Sequence, residues 1–148
     1  MKKILIAFLF LTATTIHAAE FDPHEVNQLK AVLDHNIEAM NNENIEEYMK
    51  DIHPKSIAYN NTKMILKKLF TLFDLKSTNL DITPLFVDGK YFIIKGRTQT
   101  LKIAGDTPFS DHIIDGIHIY KKHDGKWLLW NSIILEIVKL GNVKMENK

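Results

Sequence analysis

Five polar side chains in the second half of the chain, Lys95, Arg97, His118, Tyr120 and Asn131, are the residue types best suited to hold a small molecule. Arg97 is the only arginine in the sequence and stands among isoleucines. A guanidinium is costly to bury unpaired, so this position asks for an acid, supplied by the protein or by a ligand. The chemistry expected of the set is recognition of a small polar or anionic molecule. Two acids on strand-like segments, Asp111 and Asp115, are the fallback pair if Arg97 points outward. Seven histidines invite a test for metal binding. His112 and His118 are six residues apart, about 20 Å along a strand and too far to share an ion. His35 and Glu38 are helix neighbours, but His35 is expected on the water side, opposite Leu33. No His-x-His, His-x3-His or carboxylate cluster occurs, so no metal is assigned. Ser132 lacks an elbow motif and any obvious base, and no glycine-rich phosphate loop is present. No cofactor is expected.

The elements that carry these residues change type halfway along. Val26, Leu29, Leu33, Ile37 and Met40 recur at helical spacing, with Asp22 as N-cap and Pro23 in the first turn. Asn44 and Glu47 read as the capping box of a short second helix that ends before His53-Pro54. An extended piece, Ser56–Asn60, is expected to lead to Thr62 as the cap of a third helix. There Ile65, Leu66, Leu69, Phe70 and Phe73 face inward. Beyond it, Leu80–Val87 and Lys90–Ile103 flank Asp88-Gly89, and Asp111–Lys122 and Lys126–Val138 flank Asp124-Gly125. Each Asp-Gly pair signals a two-residue hairpin turn. The result is an α+β domain: three N-terminal helices on a curved, mainly antiparallel sheet of four or five strands.

Turn position sets register, because opposed residues are equidistant from the turn. The last hairpin places Tyr120 opposite Leu129, His118 opposite Asn131 and Gly116 opposite Ile133. Pairing Ile103 with Ser110 sets Arg97 opposite Gly116 and Lys95 opposite His118. One face then holds Lys95, Arg97, His118, Tyr120 and Asn131, roofed by Leu33, Ile37 and Asn36. Both faces are half apolar, whereas a sheet with one solvated face alternates more cleanly. A second copy is expected to cover Trp130, Ile117 and Ile119.

With 148 residues, 45% of them hydrophobic and 25% charged, the chain supports one domain with a core. A net charge of +1 gives no basic stripe for nucleic acid. The absence of cysteine excludes disulfides and thiol chemistry. Lys2-Lys3, the uncharged run Ile4–Ile16 and His17-Ala18-Ala19 have the layout of a signal peptide. The run is short for a membrane span, so residues 1–18 are expected to be cleaved near Ala18. Export to a bacterial periplasm or beyond, with no membrane attachment afterwards, follows. Residues 19–148 then form a single domain whose polar tail, 141–148, is expected to fray.

Helices followed by a curved meander, ending in Tyr120-x4-Gly125-Lys126-Trp127-x-Leu129 with Ser132 beyond, resemble the nuclear transport factor 2 superfamily, also called SnoaL-like or ketosteroid-isomerase-like, in its small exported bacterial branch. The resemblance spans most of residues 24–138. It implies a cone-shaped pocket between helices and sheet and frequent dimerisation through the sheet. It also implies a choice among isomerases, hydrolases, dehydratases and non-catalytic binding modules, which fold alone does not decide. An isomerase of this kind has a tyrosine and acids around a carbonyl; here only Tyr48 could approach. An epoxide-hydrolase branch carries Arg-x-Asp on a strand, where this chain reads Arg97-Thr98-Gln99. A binding or accessory module is therefore expected, with Arg97, His118, Asn131, Tyr120 and Asn36 around a ligand. The alternatives are a cofactor-free isomerase or hydrolase with a hydrophobic substrate, and an interaction module using the outer sheet face.

Overall fold

The computed structural model describes residues 21–141. The expected signal peptide lies outside the described residues, as does the tail beyond Gly141. Helix α1 (Pro23–Asn41) starts at Asp22, whose Oδ1 accepts from the His24 N–H at 2.9 Å. Helix α2 (Ile45–Lys50) is capped by Asn44, which accepts from the Glu47 N–H. Helix α3 (Tyr59–Leu72) begins three residues before Thr62, and no extended piece precedes it. The cause is Ser56. Its hydroxyl accepts from the Ala58 N–H and donates to the Trp130 carbonyl at 2.7 Å, turning the chain directly into the helix. On α3 only Leu66 is fully buried, and Ile65, expected to face inward, is exposed.

Four antiparallel strands follow in the order β1 (Asp74–Val87), β2 (Tyr91–Ala104), β3 (His112–His123) and β4 (Lys126–Lys139). Strand β1 starts six residues earlier than Leu80, where buried Leu75 and Ser77 alternate with exposed Asp74 and Lys76. The β1–β2 turn centres on Gly89-Lys90, because Asp88 accepts from the N–H groups of Lys90 and Tyr91 and so becomes the last paired residue. The β3–β4 turn has Asp124 at φ 48° and Gly125 at φ 78°, the two positive values of a type I′ turn.

The helices cover one face of the curved sheet. Leu29 and Leu33 of α1 pack on Phe92, Ile94, Tyr120 and Trp127. Met49, Ile52 and Leu66 form a second cluster. The end of α2 is stitched to β4: the Leu129 N–H donates to the Asp51 carbonyl at 2.7 Å, and the His53 N–H donates to the Leu129 carbonyl. These bonds bring Tyr48 and Asp51 against the concave face. No helix among the described residues is long and apolar enough to cross a membrane.

Register departs from expectation at two points. Tyr120 pairs with Leu129 as the turn requires, but a bulge then places His118 opposite Ser132 and Gly116 opposite Ile134. Across β2 and β3, Arg97 pairs with Asp115, Gly96 with Gly116 and Ile94 with His118. This is one residue from the predicted alignment, and a one-residue slip exchanges the faces. Arg97 and Lys95 therefore lie on the convex side. Arg97 is 46% exposed, with Nε 3.9 Å from Asp115 Oδ1, so a protein acid and water meet its charge. Asn131 is exposed outside the concavity. Both leave the expected ligand set. Nor do Asp111 and Asp115 replace them: Asp111 accepts from the Lys102 N–H at 2.8 Å, and Asp115 faces Arg97.

The outer-face patch also differs. Ile117, Ile119 and Trp130 are only half-exposed, with Lys121 Nζ 4.1 Å over the Trp130 ring and His53 edge-on at 4.8 Å. The bare apolar surface lies elsewhere: on Ile133, Ile134, Leu135 and Ile137 of β4, on Leu80, Leu85 and Phe86 of β1, on Ile103 at the end of β2, on Met64 and Ile65 of α3, and on Ile57 before it.

Candidate functional site

A cavity of about 200 Å³ lies between α1, α2 and the concave sheet. Leu33, Asn36, Ile37 and Met40 form its roof, because three- and four-residue steps put them on one flank of α1. Tyr48 closes it from α2, and Thr98, Thr100, His118, Tyr120, Leu129 and Ser132 form the floor. Among the described residues no charged side chain lines it. A more open groove bounded by Asp34, Glu38 and Lys76 adjoins it through Ile37, Ser77 and Asn79.

The floor centres on His118. Its Nδ1 is 2.9 Å from Ser132 Oγ, a contact the β4 bulge creates by bringing Ser132 opposite the ring. Gly96 and Gly116 face each other beneath it. A Cβ at Gly96 would lie 2.8 Å from His118 Cδ2, and one at Gly116 would lie 3.5 Å from Cε1. Two adjacent glycines thus make a flat seat for the imidazole. Burial pushes the His118 pKa below the ordinary histidine value, so the ring is neutral at pH 7.

Three further groups converge from the other elements. Tyr120 and Tyr48 are both pushed upward by burial, so each hydroxyl keeps its proton as a potential donor. The Asn36 amide approaches the Tyr48 hydroxyl and the Asp51 carboxylate, yet its buried Nδ2 reaches hydrogen-bond geometry with neither. A buried donor without an acceptor costs about 1–3 kcal/mol, so a ligand acceptor would compete with Tyr48 and Asp51 for this amide.

Behind the roof, His35 joins α1 to α2. Its Nδ1 is 2.8 Å from Asp51 Oδ2 and its Nε2 is 3.4 Å from Glu47. It does not sit in open water as its helical position suggested. The hydrogen bond to Asp51 holds the imidazolium above the ordinary value, while burial raises the Asp51 carboxyl. A raised folded-state pKa stabilises the fold below the unfolded value and loses that contribution as pH climbs. Stability should therefore fall as pH rises from 6.5 through the folded His35 value. His118 and His53, shifted downward, act below that window. Urea midpoints between pH 6 and 9 test this: His35→Gln should flatten the decline, and an unchanged slope would refute the assignment.

Of the expected ligand set, the structure brings together His118, Tyr120 and Asn36, and leaves out Arg97 and Asn131. Ser132, Thr98 and Thr100 join instead. Among the described residues no three His, Asp or Glu side chains converge as metal ligands.

The same architecture recurs among known proteins. The solved structures it resembles include a candidate scytalone dehydratase from Novosphingobium aromaticivorans (TM-score 0.64, 14% identity, 79% of this chain and 88% of that one). A candidate dehydratase of the nuclear transport factor 2-like family from Streptomyces avermitilis (0.60, 13%, 74% and 93%) is similar. So is a nuclear transport factor 2-like protein of unknown function from Shewanella oneidensis (0.56, 19%, 72% and 95%). At these identities the likeness is one of fold. No curated protein matches the sequence. A family model described as the C-terminal domain of anti-sigma-I factor RsgI9 matches residues 31–140. With its helices, four-stranded meander and cone-shaped cavity, the chain has the nuclear transport factor 2-like fold and belongs to the RsgI9 C-terminal domain family.

Proposed function

We propose that this chain is an exported binding module whose cavity takes a small neutral molecule with an apolar body and a hydrogen-bond acceptor. The observation that carries this reading is a cavity that no charged side chain among the described residues lines, roofed by the buried Asn36 amide. An anionic ligand finds no cation there, because Arg97 faces the other side. A ketone or an ester, by contrast, meets Asn36, the tyrosine hydroxyls and a neutral His118. The family's namesake is a domain of an anti-sigma-I factor, and that likeness supports binding over turnover.

Acetophenone and benzoate are matched in shape and differ in charge. In saturation-transfer NMR, acetophenone should bind and benzoate should not. Asn36→Ala should weaken acetophenone by roughly fivefold to tenfold, the worth of one buried hydrogen bond. Preferential binding of benzoate would overturn the reading.

The same module is proposed to associate through the open edge of β4. Ile137 is 54% exposed there, and Ile133, Ile134 and Leu135 are similarly bare. Apolar rows on an edge strand are usually covered in native proteins. Native mass spectrometry of protein recovered from its source compartment should show a dimer beginning at Ala19 or Glu20. Ile133→Lys with Ile137→Lys should give monomer. A monomer for the unmutated chain at high concentration, or an intact Met1, would refute the corresponding part.

A further inference from the structure

We infer that Ser132 and His118 form a nucleophile–base pair able to accept an acyl group from an activated ester bound in the cavity. The inference rests on the cavity being a ligand site and adds a covalent step to it. Three observations carry it. Ser132 Oγ and His118 Nδ1 are 2.9 Å apart, within the range over which a base takes a hydroxyl proton. The ring is placed by packing: it lies over Gly96 and Gly116, where a Cβ at Gly96 would come within 2.8 Å of its Cδ2. The cavity also holds donors without a carboxylate beside Ser132: Asn36 Nδ2 from the roof and the hydroxyls of Tyr48 and Tyr120. Such donors suit the negative charge that develops on an attacked carbonyl oxygen.

The step balances without a co-reactant. With the Ser132 hydroxyl donating to Nδ1, the neutral ring carries its own proton on Nε2. Oγ bonds to the ester carbonyl carbon as His118 takes the hydroxyl proton. The carbon–oxygen bond to the leaving group breaks, an aryl oxide departs, and the proton on His118 passes to solvent. Acyl-Ser132 remains. Water returns the enzyme by the reverse proton traffic: His118 deprotonates the water and reprotonates Oγ as the carboxylic acid leaves. No carboxylate supports the imidazolium that forms between these steps, so turnover should be slow and the acyl form should accumulate.

The test uses p-nitrophenyl acetate with the folded full chain. A burst of p-nitrophenolate should appear, and peptide mapping should place one acetyl group on Ser132. Ser132→Ala should abolish the burst, and His118→Gln should reduce its rate by about a hundredfold, the usual weight of a general base. Circular dichroism should show both variants folded. The burst rate should level off below the pH at which ordinary histidines titrate. Acetylation confined to lysines or tyrosines, or an unchanged rate in Ser132→Ala, would overturn the pair. If acetophenone binds while Ser132 stays unmodified, only the acyl transfer falls. If Ser132 is acetylated but acetophenone does not bind, the neutral-ligand reading falls.

Discussion

Replacing Trp127 with alanine should lower the unfolding free energy by about 3–5 kcal/mol, the range for deleting a large buried aromatic side chain. The indole is wholly buried, edge-on to Phe92 at 5.6 Å, with Lys122 Nζ 4.9 Å from its ring centre. Its Nε1 donates to Glu25 Oε2 at 2.6 Å, and the other oxygen of that carboxylate takes Lys122 at 2.7 Å. One side chain therefore fills the core beneath α1 and also ties the first turn of that helix to the last hairpin. Domains of this size are stable by about 5–15 kcal/mol, so the loss is a large share of the total. Trp127→Phe should cost less, since it retains most of the packing and gives up the Glu25 bond. Urea unfolding of both variants measures the difference. A cost under about 1 kcal/mol for the alanine variant would mean that the core is organised differently.

The second large effect belongs to Gly96. Valine is a strong strand former and would ordinarily stabilise a β-position held by glycine. Here the first carbon of any side chain meets the His118 ring at 2.8 Å. Gly96→Val should cost about 1–3 kcal/mol, as overpacking does, and should break the 2.9 Å contact between His118 and Ser132. Removing the ring gives a diagnostic result. In a His118→Ala background the same valine should be neutral or stabilising, so the double-mutant cycle should show a coupling of at least 1 kcal/mol. Additive costs would show that Gly96 is not the seat of the imidazole.

Local chemistry was legible in the sequence. Asp22 and Asn44 cap the helices they were expected to cap, because a cap depends on residues two or three positions away. The Asp124-Gly125 turn set the pairs from His123–Lys126 to Tyr120–Leu129 by geometry alone. Legibility ended at the bulge beside Trp130, where one extra residue replaced Asn131 with Ser132 as the partner of His118. Across β2 and β3 the loop is longer than two residues and admits two alignments. The choice between them decided whether Arg97 or Gly96 sat beside the histidine. Asn36 was nameable as a roof residue from helix position, whereas Tyr48 entered only as the tyrosine that an isomerase-like site would need. The role of Ser56 in starting α3 was hidden, because its hydroxyl answers a carbonyl 74 residues away.

The two margins of the sheet are not equivalent. On the β1 side, the Asn41 side chain imitates a neighbouring strand: its Oδ1 takes the Ser77 N–H at 2.6 Å, and its Nδ2 gives to the Ser77 carbonyl at 3.0 Å. Pro84 has no amide proton to offer, and irregular pairing around Leu80 and Leu85 twists that margin further. On the β4 side, outward pairing among the described residues is confined to the stretch around Leu129. A sheet with one receptive margin and one sealed margin has a stop built into its growth. Two molecules meeting at their open margins use up both, and neither has another to offer. The strand-to-strand association proposed for β4 should therefore stop at a pair, the β1 margin offering Asn41 and Pro84 where a third molecule would need free strand.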